Sequence, residues 1–102
     1  MTIYWTDFAK SELKKIYVYY DTEVGATLAL GILQQLLSHV DVLIDHPEFG
    51  RVEELLMDRP GQFRFLVCQN YKIIYLINNL KERIEILDVF DTRLNPEKIK
   101  RS

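Results

Sequence analysis

Apolar residues recur at helical spacing through the first half of this chain and alternate with polar ones through much of the second. Thr2-Ile3-Tyr4-Trp5 reads as a short strand. Thr6-Asp7 then supplies a helix N-cap and a carboxylate in the first turn. Ala9, Leu13, Ile16, Tyr17 and Tyr20 fall on one face of the helix that follows, with Lys10 and Lys14 toward the other side. Asp21-Thr22-Glu23 reads as a second cap, opening a helix that runs to about Ile44. Its stripe is Ala26, Ala29, Leu30, Leu33, Leu36, Leu37, Val40, Leu43 and Ile44, and the short connection makes the two helices an antiparallel hairpin. Pro47 disfavours helix at His46, and Gly50 permits a positive φ at the exit. Arg51 to Leu56 suits a short extended piece, and Met57 to Gln62 suits a loop.

From Phe63 the period drops to two. Phe63–Cys68, Tyr71–Ile77 and Ile84–Asp91 are rich in aromatic and β-branched residues, broken at Gln69-Asn70 and at Asn78–Arg83. They predict an antiparallel three-strand meander. Placing Phe63, Phe65 and Val67 on the helix side with Tyr71, Ile73, Tyr75 and Ile77 requires Val67 to oppose Tyr71. That register predicts a three-residue loop, Cys68-Gln69-Asn70, with Asn70 in the left-handed region. Arg64 and Lys72 then share the open face. A two-residue turn with Cys68 opposite Tyr71 puts them on opposite faces instead. Beyond Asp91 the chain leaves the sheet, and Glu97–Ser102 suits either a helical turn or a frayed end. The fold class expected is α+β: an N-terminal strand, a helix hairpin packed on a curved meander, and a short C-terminal helical tail.

Size and composition narrow the choices. The 102 residues, 48% apolar, fit one domain spanning 1–102. No uninterrupted apolar run suggests a membrane span and no signal-like segment opens the chain, so a cytoplasmic protein without a membrane partner is expected. Cys68 is the single cysteine, which excludes an internal disulfide, and with only His39 and His46 beside it no zinc set is expected and no cofactor is implied. The net charge of −2 argues against a generic nucleic-acid binder. It is unevenly spread: residues 1–58 hold 4 Lys/Arg against 10 Asp/Glu, whereas residues 59–102 hold 9 against 5. A basic face on the meander is compatible with that distribution.

Several words in this order carry a resemblance: Trp5 with Ala9 and Leu13; Pro47 with Gly50-Arg51; Arg64-Phe65-Leu66-Val67; Asn70-Tyr71-Lys72-Ile73-Ile74-Tyr75; and Val89-Phe90-Asp91-Thr92-Arg93 with Asn95-Pro96. Together the chain resembles the RelE/ParE superfamily of bacterial type II toxin–antitoxin toxins over nearly its whole length. The resemblance implies a small cytoplasmic toxin held in a hetero-oligomer by a cognate antitoxin, whose tail wraps apolar grooves on the toxin. RelE-like members cleave messenger RNA on the ribosome; ParE-like members, associated with plasmid stabilisation, poison DNA gyrase.

Residue chemistry separates these two activities. Metal-free RNA cleavage needs a cation to stabilise the phosphorane and groups that exchange protons near neutral pH. Arg64 and Lys72 match two basic meander positions of RelE-like nucleases, and Arg93 lies at or beside the C-terminal arginine. Leu66 stands where such a chain carries another lysine, and no Tyr or His follows Arg93. The proton-transfer role is vacant, and net acidity disfavours approach to a phosphate lattice. A ParE-like gyrase poison is therefore expected, with a RelE-like endoribonuclease, using Arg64, Lys72 and Arg93, as the alternative and a non-toxic interaction module as the third reading.

Arg64, Lys72, Asp91 and Arg93 are the candidate target-binding residues. Each also has a structural role open to it: solvated charges for the first two, a strand-end hydrogen-bond cluster for the pair, and Asp88 as an ion partner of Arg64 or Lys72 across the sheet. Tyr71 and Tyr75 alternate with isoleucines and belong to the core. Phe8, Tyr19 and Leu28 fall off the helix stripes and are the candidate antitoxin contacts.

Overall fold

A computed structural model describes residues 1–93 and 96–101. Strand β1 (Thr2–Trp5) leads into α1 (Asp7–Glu23) and α2 (Ala26–Asp41), and a 3-10 turn, Val42–Ile44, ends the hairpin. The two-residue β2 (Arg51–Val52) and a second 3-10 turn, Glu54–Leu56, precede β3 (Gln62–Cys68), β4 (Tyr71–Asn78) and β5 (Arg83–Asp91); a third, Pro96–Arg101, follows. The meander is the centre of a five-stranded sheet ordered β1-β5-β4-β3-β2, in which β1 runs parallel to β5. Leu94 and Asn95, the latter among the residues carrying the resemblance, lie outside the described residues.

Thr6 caps α1 as its sequence predicts: its Oγ1 accepts the Ala9 N–H at 3.2 Å and donates to Ile86 O at 2.9 Å, tying the helix to β5. Asp21-Thr22-Glu23, however, form the last turn of α1, and Gly25 (φ 134°) is the N-cap of α2. The hairpin turn needs a left-handed residue, and glycine supplies it at low strain. Ala29, Ile32, Leu36, Val40 and Leu43 enter the core, whereas Leu30, Leu37 and Ile44 are exposed; the expected stripe is rotated, and Ile32 replaces them. Ala26–Ile44 is long and apolar enough by composition to cross a bilayer, although the exposed Gln34, Gln35, Ser38, His39 and Asp41 interrupt its apolar run; Ala29, Ile32, Leu36, Val40 and Leu43 of this span are buried in the core.

The β3–β4 register is the alternative one. Cys68 opposes Tyr71, and the two-residue turn places Gln69, at φ 55°, in the left-handed region in place of Asn70. Leu66 and Cys68 therefore join Tyr71, Ile73, Tyr75 and Ile77 beneath the helices, and Val67 is exposed. One register step exchanges the two faces of a strand. Arg64, opposite Tyr75, and Lys72, opposite Val67, consequently lie on opposite faces and do not share the open one.

A bulge on β5 repeats the exchange. Tyr75 opposes Ile86 but Ile74 opposes Asp88, leaving Leu87 unmatched. Ile84, Ile86 and then Val89 thus point to the helices, while Asp88 and Phe90 turn to the far face. That face is not open: Leu56 and Ile99, both fully buried, pack there on Ile74 and Phe90.

Candidate functional site

At the end of β5, Asp91 and Arg93 meet as the strand-end reading expects. Asp91 Oδ1 accepts the Arg93 backbone N–H at 2.9 Å, and the guanidinium donates through Nη2 to Oδ2 at 2.7 Å and through Nε to Oδ1 at 3.0 Å. This hydrogen bonding holds the Asp91 carboxyl below its ordinary range and raises the guanidinium further, so both stay charged across physiological pH. The Arg93 side chain is 63% exposed. It borders a groove of about 300 Å³ whose walls include Tyr19, Tyr71, Glu12, Lys15 and Arg101. Tyr71 is buried there. Desolvation, and then the neighbouring Tyr20 hydroxyl, push its phenol well above the usual value, so it stays protonated at neutral pH.

The other two meander cations are engaged elsewhere. Arg64 donates through Nη1 to Gly50 O at 2.8 Å and to Glu48 O at 3.5 Å, pinning the loop that follows α2. The Tyr75 hydroxyl completes that clamp, donating to Pro47 O at 2.7 Å and accepting the Gly50 N–H at 2.9 Å. Gly50 does not have the positive φ its sequence context permits; instead a Cβ there would stand 2.6 Å from both Phe65 O and the Tyr75 hydroxyl. Glycine is required for close approach. Lys72, on the far face, donates to Glu53 Oε2 at 3.1 Å with its ammonium 4.1 Å from the Phe65 ring centroid. Asp88 pairs with neither of them but with Arg101.

The structure thus brings Asp91 and Arg93 together and separates them from Arg64 and Lys72. Both histidines are exposed: His39 Nδ1 lies 2.9 Å from Gln35 O, and His46 borders a different groove with Met1, Phe49 and Ile77. Among the described residues no group of three His, Cys, Asp or Glu comes together as a metal set. Phe8, Tyr19 and Leu28 are 36%, 56% and 47% exposed. Tyr19 lines the Arg93 groove, and Phe8 lies beside Arg101 with its centroid 5.5 Å from the guanidinium carbon. Leu28 lines a separate groove with Gly31, Gln35 and Gln69, where Gln69 hydrogen-bonds Gln35. Glu53, Arg101 and Ile99 have structural weight that sequence reasoning missed. The clue available was a carboxylate, Asp88, inside an apolar strand, which demands a cation.

Comparison with known proteins follows the same lines. A family model described as the ParE toxin of the type II toxin-antitoxin system, parDE, matches residues 3–96. A solved structure titled "Chromosomal ParDE TA system from P. aeruginosa" is similar at a TM-score of 0.73 and 24% identity, covering 89% of this chain and 95% of that one. No curated protein matches.

Proposed function

We propose that this chain, which belongs to the ParE toxin family of type II toxin–antitoxin systems, acts by docking on DNA gyrase and trapping the cleaved-DNA complex, and that a cognate antitoxin neutralises it. The toxin makes and breaks no bond in this reading. The observation that carries it is the disposal of the meander cations. Arg64 is committed to the Gly50 and Glu48 carbonyls on one face, and Lys72 to Glu53 on the other. Cations so divided do not converge on one phosphate, as stabilising a phosphorane requires.

The proposed target surface centres on Arg93, presented outward by Asp91. Arg64 and Lys72 support it indirectly, the first by fixing the loop at residues 47–50 and the second by holding the segment that starts at Glu53. Such a charged, pre-oriented side chain at the mouth of an aromatic groove suits a protein interface. Phe8, Tyr19 and Leu28 are proposed to contact the antitoxin, in a hetero-oligomer within the cytoplasm.

Expression of the chain without antitoxin tests this. DNA breaks and an induced damage response with intact messages are expected. Early translation arrest with cut messages would transfer the chain to the nuclease reading.

A further inference from the structure

Both carboxylates in the wall of the Arg93 groove have their oxygens engaged. Asp91 gives Oδ1 and Oδ2 to the Arg93 guanidinium. Glu12 gives Oε1 to Lys15 at 3.2 Å and Oε2 to Arg101 at 3.3 Å. Arg101 is held from behind by the buried Asp88. Lys15, Arg93 and Arg101 all line this one groove, so its lining carries three cations against two carboxylates.

Exposure divides these charges by sign. The side chains of Lys15, Arg93 and Arg101 are 72%, 63% and 30% exposed, against 14% for Glu12 and 25% for Asp91. The cations therefore meet the solvent and the carboxylates stand behind them. Among the described residues, Asp91 engages Nε and Nη2 of Arg93, and none holds Nη1. That end of a planar guanidinium can take a further carboxylate. The remaining wall is apolar: Ile16 and Tyr71 line it, and the exposed Tyr19 ring stands edge-on to Tyr20 with centroids 5.1 Å apart.

Nucleic acid suits this arrangement less well. A duplex offers phosphates at every step and is held by cations spaced along a track. Here the cations gather round a groove of about 300 Å³, and the exposed Asp7, Asp21 and Glu23 at the two ends of α1 repel a continuing polyanion.

We propose that the Arg93 groove receives one aspartate or glutamate side chain of the target protein, flanked by an apolar residue that packs on Tyr19. The inference rests on the gyrase reading in assigning that carboxylate to the gyrase protein and not to its DNA. Arg93 and Lys15 grip the carboxylate, while Arg101 sets the potential of the groove floor.

The test has two arms, both on the full chain freed of antitoxin. In the first, acetyl-Leu-Glu-Leu-amide and acetyl-Leu-Gln-Leu-amide are titrated to millimolar concentration and followed by NMR. The glutamate peptide should bind about tenfold more tightly, the worth of one charge-assisted contact. Its shifts should centre on the Arg93 Nε–H and Tyr19, and Lys15→Ala and Arg93→Gln should each erase the preference. Both positions are solvent-exposed, so both variants should fold, which circular dichroism checks. Equal binding of the two peptides would overturn the proposal, and so would displacement of the glutamate peptide by an equimolar duplex oligonucleotide. In the second arm, calorimetry with DNA-free gyrase should show binding that each variant weakens about tenfold. Binding that appears only with DNA present would overturn the assignment to a protein carboxylate. Gyrase left unbound under every condition, with the glutamate preference intact, would overturn the assignment to gyrase and the function proposed above with it. Gyrase bound and inhibited, with the two peptides indistinguishable, would overturn this inference alone.

Discussion

Lys72 and Glu53 face each other at 3.1 Å across the far side of the sheet, and Glu53 is almost fully buried while the lysine keeps about a quarter of its side chain in solvent. The pair anchors the segment after β2 to the middle of the meander. Lys72→Met leaves the Glu53 carboxylate buried without its cation. We expect a loss of about 2–3 kcal/mol in urea denaturation, below the range for a fully enclosed pair because Lys72 is partly solvated. Adding Glu53→Gln should recover most of it; no recovery would mean that the two side chains do not act as a pair.

A second stability prediction concerns the loop at residues 47–50. Tyr75→Phe keeps the ring but removes the hydroxyl that serves both Pro47 O and the Gly50 N–H. About 1–3 kcal/mol should be lost, since a buried donor and acceptor are left without their partner. Gly50→Ala should cost at least as much, because its Cβ would meet the Phe65 carbonyl at 2.6 Å and backbone cannot step aside. Unchanged denaturation midpoints in both variants would remove the clamp from the account.

Acid sensitivity should carry opposite signs at two aspartates. Arg93 lowers the folded-state pKa of Asp91, so its stabilisation is present above the unfolded pKa of about 3.9 and is lost as pH falls through the lower folded value. Asp88 is raised by burial, which outweighs the pull of Arg101. Its contribution is fully present below the unfolded pKa and is lost as pH rises through the folded one. Asp91→Asn should therefore lower stability at pH 6 and have little effect in strong acid. A penalty that persists undiminished at the lowest pH would contradict the ion-pair assignment.

Tyr19 and Leu28 line separate grooves. If both contact the antitoxin, Tyr19→Ala and Leu28→Ala should each weaken the complex about tenfold, and the double variant should show the product of the two effects. Calorimetry with the purified antitoxin measures this. Full affinity in either single variant would strike that residue from the interface.

The elements themselves were legible because periodicity and capping are local. Thr6, the Tyr71–Ile77 alternation and the burial of Tyr75 all followed from neighbours in sequence. Register was not legible. Counting aromatic residues favoured Phe63, Phe65 and Val67 for the core, but the two-residue turn with a left-handed Gln69 turned Leu66 and Cys68 inward. The same limit applied to Asp88, whose face is set by an unmatched Leu87 that no alternation reveals. Of the candidate site, the Asp91–Arg93 pair was readable because its partners are two residues apart. The partners of Lys72 and Asp88 lie 19 and 13 residues away, and only the folded sheet brings them together.

Purified gyrase offers the most direct test of killing by docking. With the antitoxin removed, the chain should inhibit supercoiling and accumulate cleaved DNA, Arg93→Ala should abolish both effects while remaining folded, and ribosome-bound message should stay intact. Undisturbed supercoiling at saturating toxin, with message cut on the ribosome, would contradict the account.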